Sequence, residues 1–311
     1  MQEVSKGELD LNQTIESIDI DSKNTNKANL KLKEVLAHQA GLAPWIGFYK
    51  ETVNVKNARL YLDFYSRKQD EDHPTKVTDN IYIIKTIKDT IYDDIYHSAL
   101  GSKRYEYSDL GYYIFQKYLE KKYQKSLDVL VDEHFYQSMG MYRTTYNPKN
   151  KFDLEEIVPT EWDKTYRNQL VHGFVHDQGA AMMGGIAGHA GLFSTSNDLA
   201  KLMQMYLNKG NYGGIEYIKP KIIDEFTKQQ FSGNHRAAGF DRMSSSSKNG
   251  PSSESFGHTG FTGTMVWADP KYNIVYVFLS NRVNVTAESN QLSSKKIREN
   301  IRDVIYQAII P

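Results

Sequence analysis

The chain has 311 residues, 40% apolar and 24% charged, enough for one large domain or two small ones with a real core. Its 38 basic side chains balance 38 acidic ones and form no dense Lys/Arg cluster, which sets aside nucleic acid and an anionic membrane surface as partners. With no cysteine, the chain can hold no disulfide, no thiolate zinc site and no cysteine nucleophile, and its 22 tyrosines and 13 phenylalanines point first to wide aromatic packing.

The opening, MQEVSKGELDLNQ, lacks the charged and apolar regions of a signal peptide, and no stretch reaches the ~20 apolar residues of a membrane span. A polar, extended stretch is expected from Ser17 to Asn29. Leu32, Val35, Leu36 and Leu42 then fall near helical spacing, with Gly41 suited to follow the helix end. Residues 44–80 read as an irregular surface excursion. From Asn80 helices dominate: NIYIIKTIKDTIYDDIYHSAL and LGYYIFQKYLEKKY carry one-faced apolar patterns, and SLDVLVDEHFYQSMG stops at Gly140. Thr195 and Asp198 form a capping box for a helix that stops at Gly210. TMVWADPKYNIVYVFLSN reads as two strands around the turn 269–273. In the last helix Ile297, Ile301, Val304, Ile305, Ala308 and Ile309 make an apolar stripe, expected to cover the sheet. The sum is a single α+β domain over 1–311: a helical lobe at roughly 30–235, and an antiparallel sheet with a packing helix at roughly 253–311.

Three places gather reactive side chains. Tyr107, Ser108 and Asp109 sit at a loop-to-helix junction, where the plain reading makes Ser108 or Asp109 a helix cap and Tyr107 a packing residue. His172, His176, Asp177 and His189 lie in a glycine-rich stretch. The spacing of His172 and His176 would suit a zinc site on a helix, but GGIAGHAG is no regular helix and no HExxH pattern is present, so the expectation is a tight loop behind a pocket and no metal. The third place is FGHTGFTG, where His258 and Thr259 stand on a strand edge and Gly260 suggests that something approaches the backbone.

Taken together, the order and wording of these places resemble the β-lactamase-related serine hydrolases, the family of class C β-lactamases, DD-peptidases and related esterases. VLAHQAGL is similar to that family's LLTHTSGL; Tyr107-Ser108-Asp109 stands at its Tyr-x-Asn motif with Asp in place of Asn; His258-Thr259-Gly260 stands at its Lys-Thr-Gly or His-Thr-Gly motif. The resemblance implies a β-lactamase/transpeptidase-like fold. It further implies that Tyr107 and His258 are catalytic, that Asp109, Thr259, Gly260 and Phe261 bind substrate, with the Phe261 N–H in the oxyanion hole, and that no cofactor is needed. The implied substrate is an ester, amide or peptide-like molecule, the cell-wall muropeptides among the candidates, in a periplasmic or other extracytoplasmic setting. The segments VHDQGAAMMGGIAGHAGLFSTSNDLAKLMQMYL and FGHTGFTGTMVWADPKYNIVYVFLSNR are similar to the serine hydrolase domain that follows a family 3 glycoside hydrolase domain in Bacteroidetes-type fusions.

In that family the Ser-x-x-Lys nucleophile helix precedes a phrase like SKGELDLNQTI at residues 5–15, so nucleophile, lysine and early strands are expected upstream in the same polypeptide. Two internal Ser-x-x-Lys strings, Ser245 to Lys248 and Ser293 to Lys296, stand in the wrong order and read as chance. The alternative is a catalytically inactive module of the same fold that binds a peptide or glycan.

Overall fold

The computed structural model describes residues 1–243, 250–284, 286–288 and 290–309, which leaves the Ser245–Lys248 string outside the described residues. The chain begins with α1 (Gln2–Lys6), stopped by Gly7 at φ 83°. Residues 17–29 are rich in turns, with a 3-10 turn at Ile20–Ser22, where an extended run was expected. α2 (Leu32–Leu36) is short and ends before Gly41. Gly41 does not close this helix: at φ 75° it meets a second loop, and a Cβ there would stand 2.5 Å from the Gly101 carbonyl oxygen.

The 44–80 segment lies largely at the surface, yet it is not irregular throughout. It folds into a small antiparallel sheet of β1 (Tyr65–Ser66), β2 (Thr75–Thr78) and β3 (Ile81–Ile83), in the order β1-β3-β2. Tyr65, Val77, Ile81 and Ile83 are buried in the main core. Because 81–83 is strand, the helix expected from Asn80 begins later, as α3 (Ile87–His97). α4 (Leu110–Tyr123) follows, and the two helices put Ile87, Ile91 and Ile95 against Leu110, Tyr113 and Ile114 in that core. α5 (Leu127–Val131) runs on into a π-helical turn at Asp132–Tyr136. A hairpin of β4 (Glu161–Asp163) and β5 (Gln169–Val171) leads to α6 (Gln178–Met182). α7 (Ser196–Leu207) starts as expected, the Thr195 side chain accepting from the Asp198 N–H, and Gly210 at φ 91° takes the chain away from it. α8 (Pro220–Thr227) completes the helical lobe.

The larger sheet is antiparallel, with its strands side by side in chain order: β6 (Asp241–Arg242), β7 (Phe256–Thr259), β8 (Met265–Asp269) and β9 (Ile274–Phe278), so β9 is an edge strand among the described residues. Phe256 faces Ala268 and His258 faces Val266 across the β7–β8 pair. Period-two alternation puts Phe256, Val266, Ala268 and Val275 with Met203 of α7 on one side, and Met265, Trp267 and Tyr276 on the other.

α9 (Ile297–Ile309) covers that second side, but with the opposite face to the one its apolar stripe implies. It buries Arg298, Arg302 and Tyr306, while Ile301, Val304, Ile305 and Ile309 are exposed. The sheet explains the choice. The Arg302 guanidinium lies 5.6 Å from the Trp267 ring centroid, Arg298 Nη1 donates to the Thr264 carbonyl at 2.9 Å, and the Tyr306 hydroxyl donates to the fully buried Asp269 at 2.9 Å. Apolar side chains there would leave that carboxylate short of a donor, which costs more than exposing a few aliphatic groups.

Candidate active site

The loop between α3 and α4 is fastened to the loop after α2 by backbone and side chain alike. Glu106 N–H donates to the His38 carbonyl at 2.9 Å, Ser108 N–H to His38 Nδ1 at 3.2 Å, and Ser108 Oγ to the Ala43 carbonyl at 2.6 Å. The buried Ser108 Oγ also accepts from Leu110 N–H at 3.2 Å, so this side chain satisfies the first N–H of α4 from the position before the N-cap. Between these anchors Tyr107 is 40% exposed, with the His38 ring beneath it at a centroid distance of 4.3 Å.

Asp109 occupies the N-cap position of α4 but makes no side-chain cap bond, which leaves its carboxyl beside Tyr107. Burial, and after it the neighbouring Asp177, push the Asp109 carboxyl above the usual carboxylate range, against the pull of His189. Burial, and then the Asp109 charge, push the Tyr107 phenol upward, while Arg236 acts the other way.

From the sheet side comes His258, whose ring centroid lies 5.9 Å from that of Tyr107. A histidine at this motif makes any positive charge it carries conditional on pH. The structure places a guanidinium there as well: Arg236 Nη2 stands 2.7 Å from His258 Nε2, and its Cζ lies 5.6 Å from the Tyr107 ring centroid. His258 Nδ1 is 2.8 Å from the Thr259 carbonyl. A guanidinium only donates and a carbonyl only accepts, so the ring fits both when Nδ1 carries the proton and Nε2 does not. Burial, with the Arg236 charge next, accordingly holds His258 below the ordinary histidine range.

β7 and β8 are joined by a tight turn in which Gly260 N–H donates to the Thr264 carbonyl at 2.9 Å and Gly263 N–H to the Gly260 carbonyl at 3.0 Å. The glycines serve the hairpin itself. A Cβ on Gly257 would stand 2.1 Å from the Val266 carbonyl oxygen, and one on Gly260 would stand 2.2 Å from Thr264 Oγ1. Thr259 closes β7 opposite Met265. At the tip, Phe261 is 60% exposed, and among the described residues its N–H takes no hydrogen-bond partner, which leaves it available to an incoming oxygen. The Phe261 ring lies between His176, stacked at 4.8 Å and 15°, and the Arg282 guanidinium at 4.5 Å.

Below that stack, His176 Nδ1 pairs with Glu161 at 2.7 Å, and Arg167 Nε donates to Asp163 at 2.7 Å, all on the β4–β5 hairpin or beside it. His172 bonds instead to the Ile157 carbonyl, and His189 Nε2 to Asp177 at 3.0 Å. The three histidines therefore diverge, and no cluster of three metal-ligating side chains occurs among the described residues. His172 and His176 lie on the loop before α6, not on a helix. Ser293 lies in a one-turn helix at Gln291–Ser294 and Lys296 in the turn that follows it, both exposed, with Lys296 at φ 49°.

The structure thus brings Tyr107, Asp109 and His258 to one place, with Phe261 on the adjoining turn. Sequence reasoning missed Arg236, which lies in NHRAAGFDR, a stretch with neither periodicity nor a motif, and it quoted His38 without seeing it lie under Tyr107. No helix among the described residues is long and apolar enough to cross a membrane.

Comparison with known proteins adds four findings. The sequence model of the family described as Beta-lactamase matches residues 1–294. An N-acetylmuramyl-L-alanine amidase of Bacillus subtilis (strain 168) is 32% identical over 302 residues, which is 90% of this chain and 63% of the amidase, so the chain spans less than two thirds of that relative. Among solved structures, a novel penicillin-binding protein homologue from Caulobacter crescentus superposes with a TM-score of 0.59 at 16% identity, over 90% of this chain and 73% of that one. The unliganded simvastatin synthase of Aspergillus terreus superposes at 0.64 and 13% identity, over 99% and 79%. Likenesses of that kind concern the fold.

Proposed function

The chain belongs to the Beta-lactamase family, and from that premise we propose that it forms most of a serine hydrolase domain that cleaves an amide or ester in a peptide-like substrate of the muropeptide class. The observation that carries the reading is the meeting of Tyr107 and His258, 151 positions apart in the chain, beside a turn whose tip offers the Phe261 N–H. The substrate class draws on the name of the Bacillus relative, which acts on an amide of N-acetylmuramyl-L-alanine.

A serine and lysine from a Ser-x-x-Lys helix upstream in the polypeptide supply the nucleophile and its base. The lysine amine takes the serine proton as the serine oxygen attacks the carbonyl carbon, while the Tyr107 hydroxyl gives its proton to the leaving nitrogen or oxygen and regains one from the lysine; water then reverses the sequence on the acyl-enzyme. Phe261 N–H and the nucleophile's own N–H hold the oxyanion. Asp109 and Thr259 line the substrate side, with Gly260 keeping the turn tight enough to present Phe261. An extracytoplasmic setting fits a muropeptide substrate, and the fusion to a family 3 glycoside hydrolase domain fits the wording of the two segments quoted for it.

The test compares the 311-residue chain with a version extended upstream through the Ser-x-x-Lys helix, each treated with a fluorophosphonate and read by intact mass. One adduct on the extended protein alone, lost in its Ser→Ala variant and slowed at least a hundredfold in Tyr107→Phe, is the expected result. An adduct on the 311-residue chain would move the nucleophile to one of its own serines, and labelling of neither would favour the binding module.

A further inference from the structure

Arg236 has an unusual situation for a charged side chain. It is 3% exposed, and its nearest carboxylate, Asp241, lies 3.8 Å from Nη1 and is shared with His235 at 3.1 Å. Its Nε is buried without a hydrogen-bond partner. A buried cation so thinly compensated is costly to keep, and its loop is built to keep it. Asn234 Oδ1 accepts from Arg236 N–H at 3.0 Å, and Asn234 Nδ2 donates to the Ala37 carbonyl at 3.0 Å and to Gln39 Oε1 at 2.8 Å. The guanidinium is thereby fixed against the loop that carries His38, pointing between His258 and the Tyr107 ring.

We propose that Arg236, not the histidine of the third motif, carries the positive charge of this site, holding His258 neutral as a hydrogen-bond acceptor and favouring the phenolate of Tyr107. Arg236 is a positioning residue that acts through these two. Its role in turnover rests on the hydrolase reading; its effect on the two protonation equilibria does not. A guanidinium keeps its charge at every working pH, whereas an imidazolium would surrender it near neutrality, so the site stays poised where a protonated His258 would fail. The other groups facing the pair are Asp241 and Tyr107 at His258, and Asp109, Tyr112 and His38 at Tyr107.

The experiment is NMR on the 311-residue chain with labelled imidazole nitrogens and tyrosine Cζ, with Arg236→Gln and Arg236→Lys alongside the parent. In the parent, His258 is expected as the Nδ1–H tautomer with Nε2 unprotonated from pH 8 to pH 6. In Arg236→Gln, both His258 and Tyr107 should titrate higher, by about one pH unit, a tenfold change in proton affinity, and Arg236→Lys should return part of that shift. The signs separate charge from packing. Losing a cation raises both values, whereas admitting water to a loosened site raises the histidine and lowers the tyrosine. A fall at Tyr107, or an Nε2–H or protonated His258 in the parent at pH 7, would overturn the proposal. Should the glutamine variant fail to fold, the parent tautomer and the lysine variant still decide it. Failure of the hydrolase reading would show separately, as absent labelling of the extended protein with these titrations unchanged.

Discussion

His38 makes the site's electrostatics measurable as stability. It is 2% exposed, and burial, then the charge of Arg236 and the neighbouring His258, push its imidazole down to about 3, against the bond from Ser108 N–H. An unfolded histidine titrates near 6.5, so between these values the unfolded chain takes up a proton that the native state refuses. Stability is therefore full above the unfolded value and is lost as pH falls through it toward 3. From pH 7 to pH 5 the linkage relation gives a loss of about 2 kcal/mol from this one residue. The perturbation is His38→Asn. Asparagine tolerates the left-handed backbone here, φ 53°, its Oδ1 can accept from Ser108 N–H, and it does not titrate. Urea unfolding of both proteins at pH 7, 6 and 5 is the assay, since the other titrating groups are common to the two. The parent should lose about 2 kcal/mol more than the variant across that range. Equal losses, within about 0.5 kcal/mol, would mean that His38 is hydrated or charged in the native state, and the burial argument would fail.

Four further outcomes follow from contacts already described. Tyr306→Phe should cost about 1.5–3 kcal/mol in urea unfolding, because it removes one donor from buried Asp269, whose other bonds come from Ser252 N–H and Oγ and from Lys271 N–H. Gly257→Ala should cost more than about 3 kcal/mol or abolish soluble expression, since its Cβ would meet strand backbone at 2.1 Å, whereas Gly101→Ala, with nothing nearer than 3.7 Å, should stay within about 1 kcal/mol. Thr195→Ala should lower stability by about 1 kcal/mol through the lost cap of α7, with Thr195→Ser restoring most of it. The exposed stripe of α9 next to the edge strand β9 should make the chain self-associate as its concentration rises, seen by sedimentation velocity and suppressed by the pair Ile301→Lys and Val304→Lys; a monomer at every concentration in the parent would contradict this.

What the sequence revealed and what it hid divide along a physical line. Local rules sufficed where one element decides its own form: the hairpin around 269–273, the helix at 110–123 and the capped helix after Thr195 all stand as read. They failed where a distant partner decides. The strands at 65–83 are two to four residues each, too short for a period to declare itself, and they exist because Tyr65, Val77, Ile81 and Ile83 find the core. In α9 a clear apolar period pointed the wrong way, because the helix orients by what the sheet offers it, an indole and a buried carboxylate. Among the site residues, Tyr107 and His258 were legible through motif wording, but the charge between them was not. A lone arginine in an irregular loop carries no pattern until the fold puts it next to something.

The segment VLAHQAGL shows why motif wording and contact geometry have to be read together. By periodicity it is one helical turn and a loop, yet its loop half joins the two sides of the site. His38 receives the Ser108 N–H next to Tyr107, while the Ala37 carbonyl and the Gln39 side chain receive Asn234, which in turn holds Arg236 against His258. Tyr107 and His258 are thus set relative to each other through a third loop that bonds to the supports of both. His38 at φ 53° is the residue that bends this loop so that one ring lies under Tyr107 and the flanking backbone faces Asn234. A change in this loop should therefore move the phenol and the guanidinium together, whereas a change in either motif alone moves one of them. On this view the spacing between Tyr107 and Arg236, 5.6 Å from ring centroid to Cζ, is a property of residues 37–39 as much as of the two side chains that define it.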